Sequence, residues 1–236
     1  MPQGKWPNRS WIILLAGVVL VRLSTLEPQW VEKYYSTGIY AHSSRLMRYL
    51  TAWLPFSAGD ILYVVAGLAL LREMALWFRA IKNKAVKRPW VQRRASNYIR
   101  VFLSIYLIFN LLWGMNYNRI GVAGQLGLRL GDTSAAGLSE LAAALIQKTN
   151  TLRPLEPAIG FDRSAALAGK AYQGASTKYP FLESHPVSLK PSIFGAVGNY
   201  MGYSGYYNPF SGEGQVNTKV PGFLIPFVSC HEMAHQ

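Results

Sequence analysis

Two histidines and a glutamate stand together at the end of this 236-residue sequence, in His231-Glu232-Met233-Ala234-His235-Gln236. The spacing H-E-x-x-H sets His231 and His235 four residues apart. On a helix that is one face, so two imidazole nitrogens can meet one metal ion. Glu232 follows the first histidine directly, where a carboxylate can take a proton from a zinc-activated water. The pattern is that of a zinc metallopeptidase: Zn2+ held by His231 and His235, with Glu232 as general base in peptide-bond hydrolysis. Catalytic zinc takes a third protein ligand, here expected to be an acid downstream of the motif. The sequence ends at Gln236, so the site is expected to be incomplete, its third ligand lost by truncation of a longer chain. Upstream, only Glu213, His185 and Glu183 offer themselves instead, and Glu213 reads as a residue that shapes a turn. Cys230, the one cysteine, points about 100° away from His231 on a helix and reads as a packed small hydrophobe.

Several elements must hold these groups in place. The run from Pro221 to Cys230 is apolar, as a buried helix requires, and Pro226 suits its first turn. Two buried histidines beside a glutamate are unfavourable unless something binds them. Before the helix, Gly202–Tyr207 and Gln215–Lys219 read as the strands of a hairpin joined through Asn208–Gly214. An edge strand beside such a helix lets an extended substrate pair as an added strand. Tyr200, Tyr206, Tyr207 and Asn217 are the candidate contacts to a substrate edge or to the oxyanion of a tetrahedral intermediate. Packing at a membrane-proximal surface is the other reading of the tyrosines. Two amphipathic helices precede this region. The first spans 134–151, with Asp132, Thr133 and Ser134 as N-cap candidates and a break at Arg153–Pro157. The second spans 163–178, capped by Asp162 and ended by Tyr179-Pro180.

The first half has a different composition. Half of all residues are hydrophobic and 15% are charged, while the net charge is +13. Three apolar stretches, 11–26, 56–78 and 98–115, read as membrane spans. Arg22 snorkels at the end of the first, which reads as an uncleaved anchor because no small-x-small cleavage site follows it. Trp90, Trp113 and Tyr117 suit the interfacial belts. Between Arg79 and Arg100 lie eight basic residues and no acidic one. A basic loop between two spans marks the cytoplasmic side, which argues against a nucleic-acid patch. The expected topology is N-terminus inside, 24–55 outside, 79–100 inside and everything from 116 outside. Asp60 and the Arg72-Glu73 pair at membrane depth raise a transporter-like or lipid-handling role. A neighbour pair near a span end is more simply an interfacial anchor.

The run KPSxFGxxxNYxGxxGYYNPFxGEGQVNT…PFxxCHEMAHQ resembles the uncharacterised bacterial membrane-protein family known as domain of unknown function 3810. The resemblance extends over the whole chain and is most specific over Lys190–Gln236. It implies an extracytoplasmic, zincin-like H-E-x-x-H domain in which an acidic segment downstream supplies the third ligand. His231, Glu232 and His235 carry over directly. The expected fold is mainly α, with three transmembrane helices over 1–115 followed by an α+β zincin-like extracytoplasmic domain over 116–236. The expected function is that of a metallopeptidase anchored in the bacterial cytoplasmic membrane, its partners the lipid bilayer and a peptide or protein substrate. The alternative is a non-catalytic membrane-anchored binding or scaffolding protein.

Overall fold

The computed structural model describes residues 9–125, 127, 131, 134–152, 159–183 and 185–236. Among these the chain is mainly helical. We number the principal helices α1 (Arg9–Ser24), α2 (Pro28–Thr51), α3 (Ala58–Lys82), α4 (Arg88–Leu112), α5 (Ala135–Leu152), α6 (Phe161–Ser176), α7 (Gly195–Met201) and α8 (Ile225–Met233). Strands β1 (Leu189–Pro191), β2 (Gly205–Asn208) and β3 (Glu213–Val216) form one sheet in the order β1-β3-β2. β1 runs parallel to β3 and β2 antiparallel to it, with Tyr206 opposite Gln215 and Leu189 opposite Gly214.

Helices α3 and α4, 25 residues each, are long and apolar enough to cross a membrane. None of the apolar window of α3 is buried within the chain, and only 6% of that of α4. Apolar surface on this scale needs a non-aqueous cover. The first expected span differs. Alone, α1 has 16 residues, short of the ~20 that cross a bilayer. It passes the same test only jointly with α2, from which it is bent by 100°. Gly17 lets α1 lie close on α4, since a Cβ there would sit 3.0 Å from Leu107.

The stretch 24–55, read from sequence simply as an outer connection, is mostly α2, with π-helical winding over Val31–Tyr40. Its inner face carries Val31 and Tyr35, which pack with Val21 and Met115, and also buries Ser44, Arg48 and Thr51. Leu46, Tyr49 and Leu50 face outward instead. The Tyr35 hydroxyl donates to the carbonyls of Asn110 (3.0 Å) and Leu111 (3.1 Å), satisfying the end of α4. Arg119 grips Glu32 through two bonds of 2.9 and 2.7 Å. At the other end of the α3–α4 hairpin, Glu73 does more than anchor at an interface. It accepts from Arg94 (2.5 Å) and from Tyr98 (3.0 Å) across the hairpin, while Trp77 and Trp90 meet edge to face.

Helices α5 and α6 follow their sequence signals within two residues, whereas α7 was not foreseen. Ser134 caps α5 by accepting from the N–H of Gly137 (3.1 Å). The cap candidates Asp132 and Thr133 and the break at Arg153–Pro157 lie outside the described residues. Asp162 is corrected: Gly160 is the N-cap of α6, and Asp162 sits in the first turn, where its charge meets the positive helix end. Ala168 of α6 packs with Leu189, Val216, Ile225, Val228 and Met233, which joins α6, the sheet and α8 in one core.

Candidate functional site

Helix α8 starts with Pro226 in its first turn, as the sequence requires, and buries Ile225, Val228, Ser229, Glu232 and Met233. Its last residues continue as a tight turn, with the N–H of His235 bonded to the carbonyl of Glu232. The imidazoles of His231 and His235 meet edge to face with centroids 5.1 Å apart; His235 is half-buried, whereas His231 is exposed rather than buried as the sequence suggested. Burial, and then His231 beside it, holds His235 below the usual histidine range, which favours the neutral, metal-binding form.

Between these residues in sequence, Glu232 turns under the hairpin. It is 3% exposed, and burial pushes its carboxyl up to about 7. One oxygen, Oε2, is buried without a hydrogen-bond partner. Two glycines make the room. A Cβ at Gly205 of β2 would lie 2.5 Å from Glu232 Oε1, and one at Gly214 of β3 would lie 3.0 Å from Glu232 Cβ. Gly205→Ala is therefore expected to displace the carboxylate or open the hairpin, with a loss of about 1–3 kcal/mol. Thermal denaturation checks it, and a variant as stable as the parent would show that the pocket is not tight.

The structure separates the four candidate contacts. Tyr207 lies beside the histidines, its ring 6.1 Å from His235 and its hydroxyl 3.4 Å from that of Tyr40. Burial, with Tyr40 alongside, keeps the Tyr207 phenol well above its usual range, so it stays a proton donor. Tyr206 alternates to the opposite face of the sheet, where its hydroxyl donates to Asp60. Asn217 is buried and bonded to Asn199, Lys219 and the Tyr203 carbonyl, so it braces the loop. Tyr200 is 94% exposed on α7 and contributes nothing to the cluster. Among the stand-ins for a third ligand, Glu213 is corrected from turn to strand: it lies in β3 and its carboxylate faces the start of α3. Glu183 pairs with Arg45 at 3.4 Å, and His185 lines a separate cavity against α6. Among the described residues, no three His, Cys, Asp or Glu side chains converge as a metal site. Cys230 is half-buried and raised by burial, in keeping with a packed thiol.

Three neighbours escaped the sequence reading. Trp113, just past α4, packs edge-on to His235 (6.2 Å) and tilts over Tyr207 (5.6 Å). Tyr40 donates to the His235 carbonyl at 3.2 Å. Arg48, 2% exposed, donates to the Gln236 carbonyl at 2.5 Å. These residues and Asn116 line a cavity of about 500 Å3 that His235 borders. The end of the H-E-x-x-H segment thus packs on α2 and on Trp113, just past α4.

A family model described as "Protein of unknown function (DUF3810)" matches residues 35–236. The match starts within α2 and leaves α1 outside, which is narrower than the whole-chain extent expected from the sequence. No curated protein and no solved structure matches the chain.

Proposed function

The chain belongs to the DUF3810 family of proteins of unknown function, and from its site we propose that it is a membrane-anchored, zinc-dependent peptidase. The observation that carries this is the pairing of the His231 and His235 rings, 5.1 Å apart, beside a buried glutamate whose Oε2 has no partner. Two imidazoles on one helix face fit Zn2+ as two of its ligands. When bound, zinc would supply a Lewis acid that polarises the scissile carbonyl and acidifies a water molecule.

The chain's own residues do the rest. Glu232 takes the proton of the attacking water and returns it to the leaving amine, a task suited to a carboxyl held near neutrality. Tyr207, protonated and adjacent, is the donor best placed for a developing oxyanion. β2 is an edge strand, which suits it to pair with an extended substrate. α3 and α4, and the bent α1–α2 pair, act as the membrane anchor. The eight basic residues between Arg79 and Arg100 set the α3–α4 turn on the cytoplasmic side and the histidine pair outside a bacterial cytoplasmic membrane.

Zinc content is the decisive measurement. The protein expressed from its complete reading frame is expected to hold one zinc per chain, lost in both His231→Ala and His235→Ala. A zinc-free wild type would instead favour a non-catalytic, membrane-anchored binding protein.

A further inference from the structure

From Pro191 to Gly212 the chain runs 22 residues without a charge. Helix α7 lies within this run. Its inner side is glycine: a Cβ at Gly195 would fall 2.5 Å from Asn217 Oδ1, and one at Gly198 would fall 2.8 Å from the Tyr203 ring. Its outer side is apolar. Val197, Tyr200 and Met201 are exposed at 49, 94 and 71%, and Ile193 just before the helix at 68%. A soluble surface rarely shows such a cluster unless another phase covers it.

The height of this cluster is set by Asp60. The N–H of Ile193 donates to Asp60 Oδ2 at 2.8 Å, and the Tyr206 hydroxyl donates to Oδ1. Asp60 sits in the first turn of α3, and the exposed apolar run Ile61, Leu62, Tyr63, Val64, Val65 begins at the next residue. The cluster therefore stands level with the point where α3 becomes lipid-facing, on the reading of α3 as a span. Its make-up, aromatic and aliphatic with no charge, matches the interfacial layer.

We infer that Ile193–Met201 is a membrane foot: its outer face dips into the interfacial layer of the bilayer that α3 and α4 cross. A cavity of about 610 Å3 lies beside it, lined by Tyr63, Phe194, Tyr203, Tyr206 and Tyr207. With the foot inserted, this cavity opens at the bilayer surface, and its wall Tyr207 lies against His235, ring centroids 6.1 Å apart. The polypeptides it faces are those held at the membrane.

The inference rests on the anchored reading above, and the test separates the two. In a Cys230→Ser background, single cysteines at Tyr200, Leu68 and Gln173 carry an environment-sensitive fluorophore in phospholipid nanodiscs. Nitroxide-labelled phospholipids and aqueous iodide are the quenchers. The Leu68 label, on α3, is expected to lose most of its emission to nitroxide lipid, and the Gln173 label, on α6, to iodide. The Tyr200 label is expected to follow Leu68, with an interfacial rather than a deep nitroxide most effective. A Tyr200 label quenched only by iodide, with Leu68 still lipid-quenched, overturns the foot and leaves the spans standing. Protection from both quenchers together with energy transfer between differently labelled chains would assign the face to a second copy and also overturn it. Loss of lipid quenching at Leu68 would remove the spans and the foot together. Met201→Cys repeats the measurement should Tyr200→Cys fail to fold.

Discussion

Glu232→Gln is expected to lower peptide hydrolysis by about a thousandfold while one zinc per chain stays bound. Glutamine keeps the shape that fits under Gly205 and Gly214 but cannot accept the proton of the attacking water. A second signature comes from stability. Burial pushes the Glu232 carboxyl up to about 7, against 4.5 when exposed. The folded state then holds that proton more tightly than the unfolded state. Its stabilising contribution is full below pH 4.5 and is lost as the pH rises through about 7, an effect of about 3 kcal/mol. Relative to metal-free Glu232→Gln, metal-free wild-type protein should lose that amount across this window; His235, held below its usual range, acts in the opposite direction in both proteins. Turnover, zinc content and denaturation at pH 4.5 and 8 measure all three effects. A glutamine variant that hydrolyses peptide at the wild-type rate would sink the assignment of the base.

The histidine helix was legible because its signals are local: an apolar run, a proline at the start and a motif of fixed spacing. α3 was legible for the same reason, and α4 in its apolar part; its first ten residues, Arg88–Asn97, are helix where the sequence was read as a basic loop. α2 was not legible, because over Ala41–Thr51 its pattern is inverted relative to a helix in water. Ser44, Arg48 and Thr51 are buried, while Leu46, Tyr49 and Leu50 are exposed. A periodicity argument that assigns polar residues to solvent misplaces every one of them. The same assumption displaces the hairpin. Glu213 and Gln215, wholly buried in β3, read locally as part of a turn and its edge. Their partners lie about 155 residues earlier, and no local pattern can announce them. β1, three residues long and paired in parallel across a crossover, has no local signal either.

The same non-local contacts explain which part of the site was missed. His231, Glu232 and His235 stand in one motif, whereas Tyr40, Arg48 and Trp113 reach it from helices that sequence reading assigned to the membrane region or its outer connection. α2 and Trp113, just past α4, are therefore a wall of the candidate site. A soluble fragment beginning after residue 116 would lack that wall, and its low activity would say nothing about the histidines.

The largest effect on stability is expected at Glu213. Its side chain is fully buried; Oε1 accepts the N–H of Ala58 at 3.1 Å, and Oε2 accepts the N–H of Gly59 at 2.6 Å and the Ser57 hydroxyl at 3.4 Å. These donors form the N-terminus of α3, where unpaired N–H groups and the helix dipole both favour a negative charge. One strand over, Lys190 does the converse, donating to the carbonyls of Ala52 (3.0 Å) and Leu54 just past α2. Burial pushes the Lys190 ammonium below its usual range, and Glu213 opposes that shift. Adjacent strands thus offer opposite charges to the end of one helix and the start of the next. Glu213→Ala leaves the N–H groups of Ala58 and Gly59 without this acceptor and removes the counter-charge of a buried lysine, which should cost about 3–5 kcal/mol. Glu213→Gln keeps one acceptor oxygen but turns an amide N–H toward other donors, and about 1–3 kcal/mol is expected. If the pair acts as a unit, Glu213→Gln combined with Lys190→Met should cost less than the sum of the single changes in denaturation of the detergent-solubilised protein. Additive losses would mean that each strand holds its own helix independently. A Glu213→Ala protein as stable as wild type would mean that the sheet does not seat the histidine helix on α3 at all.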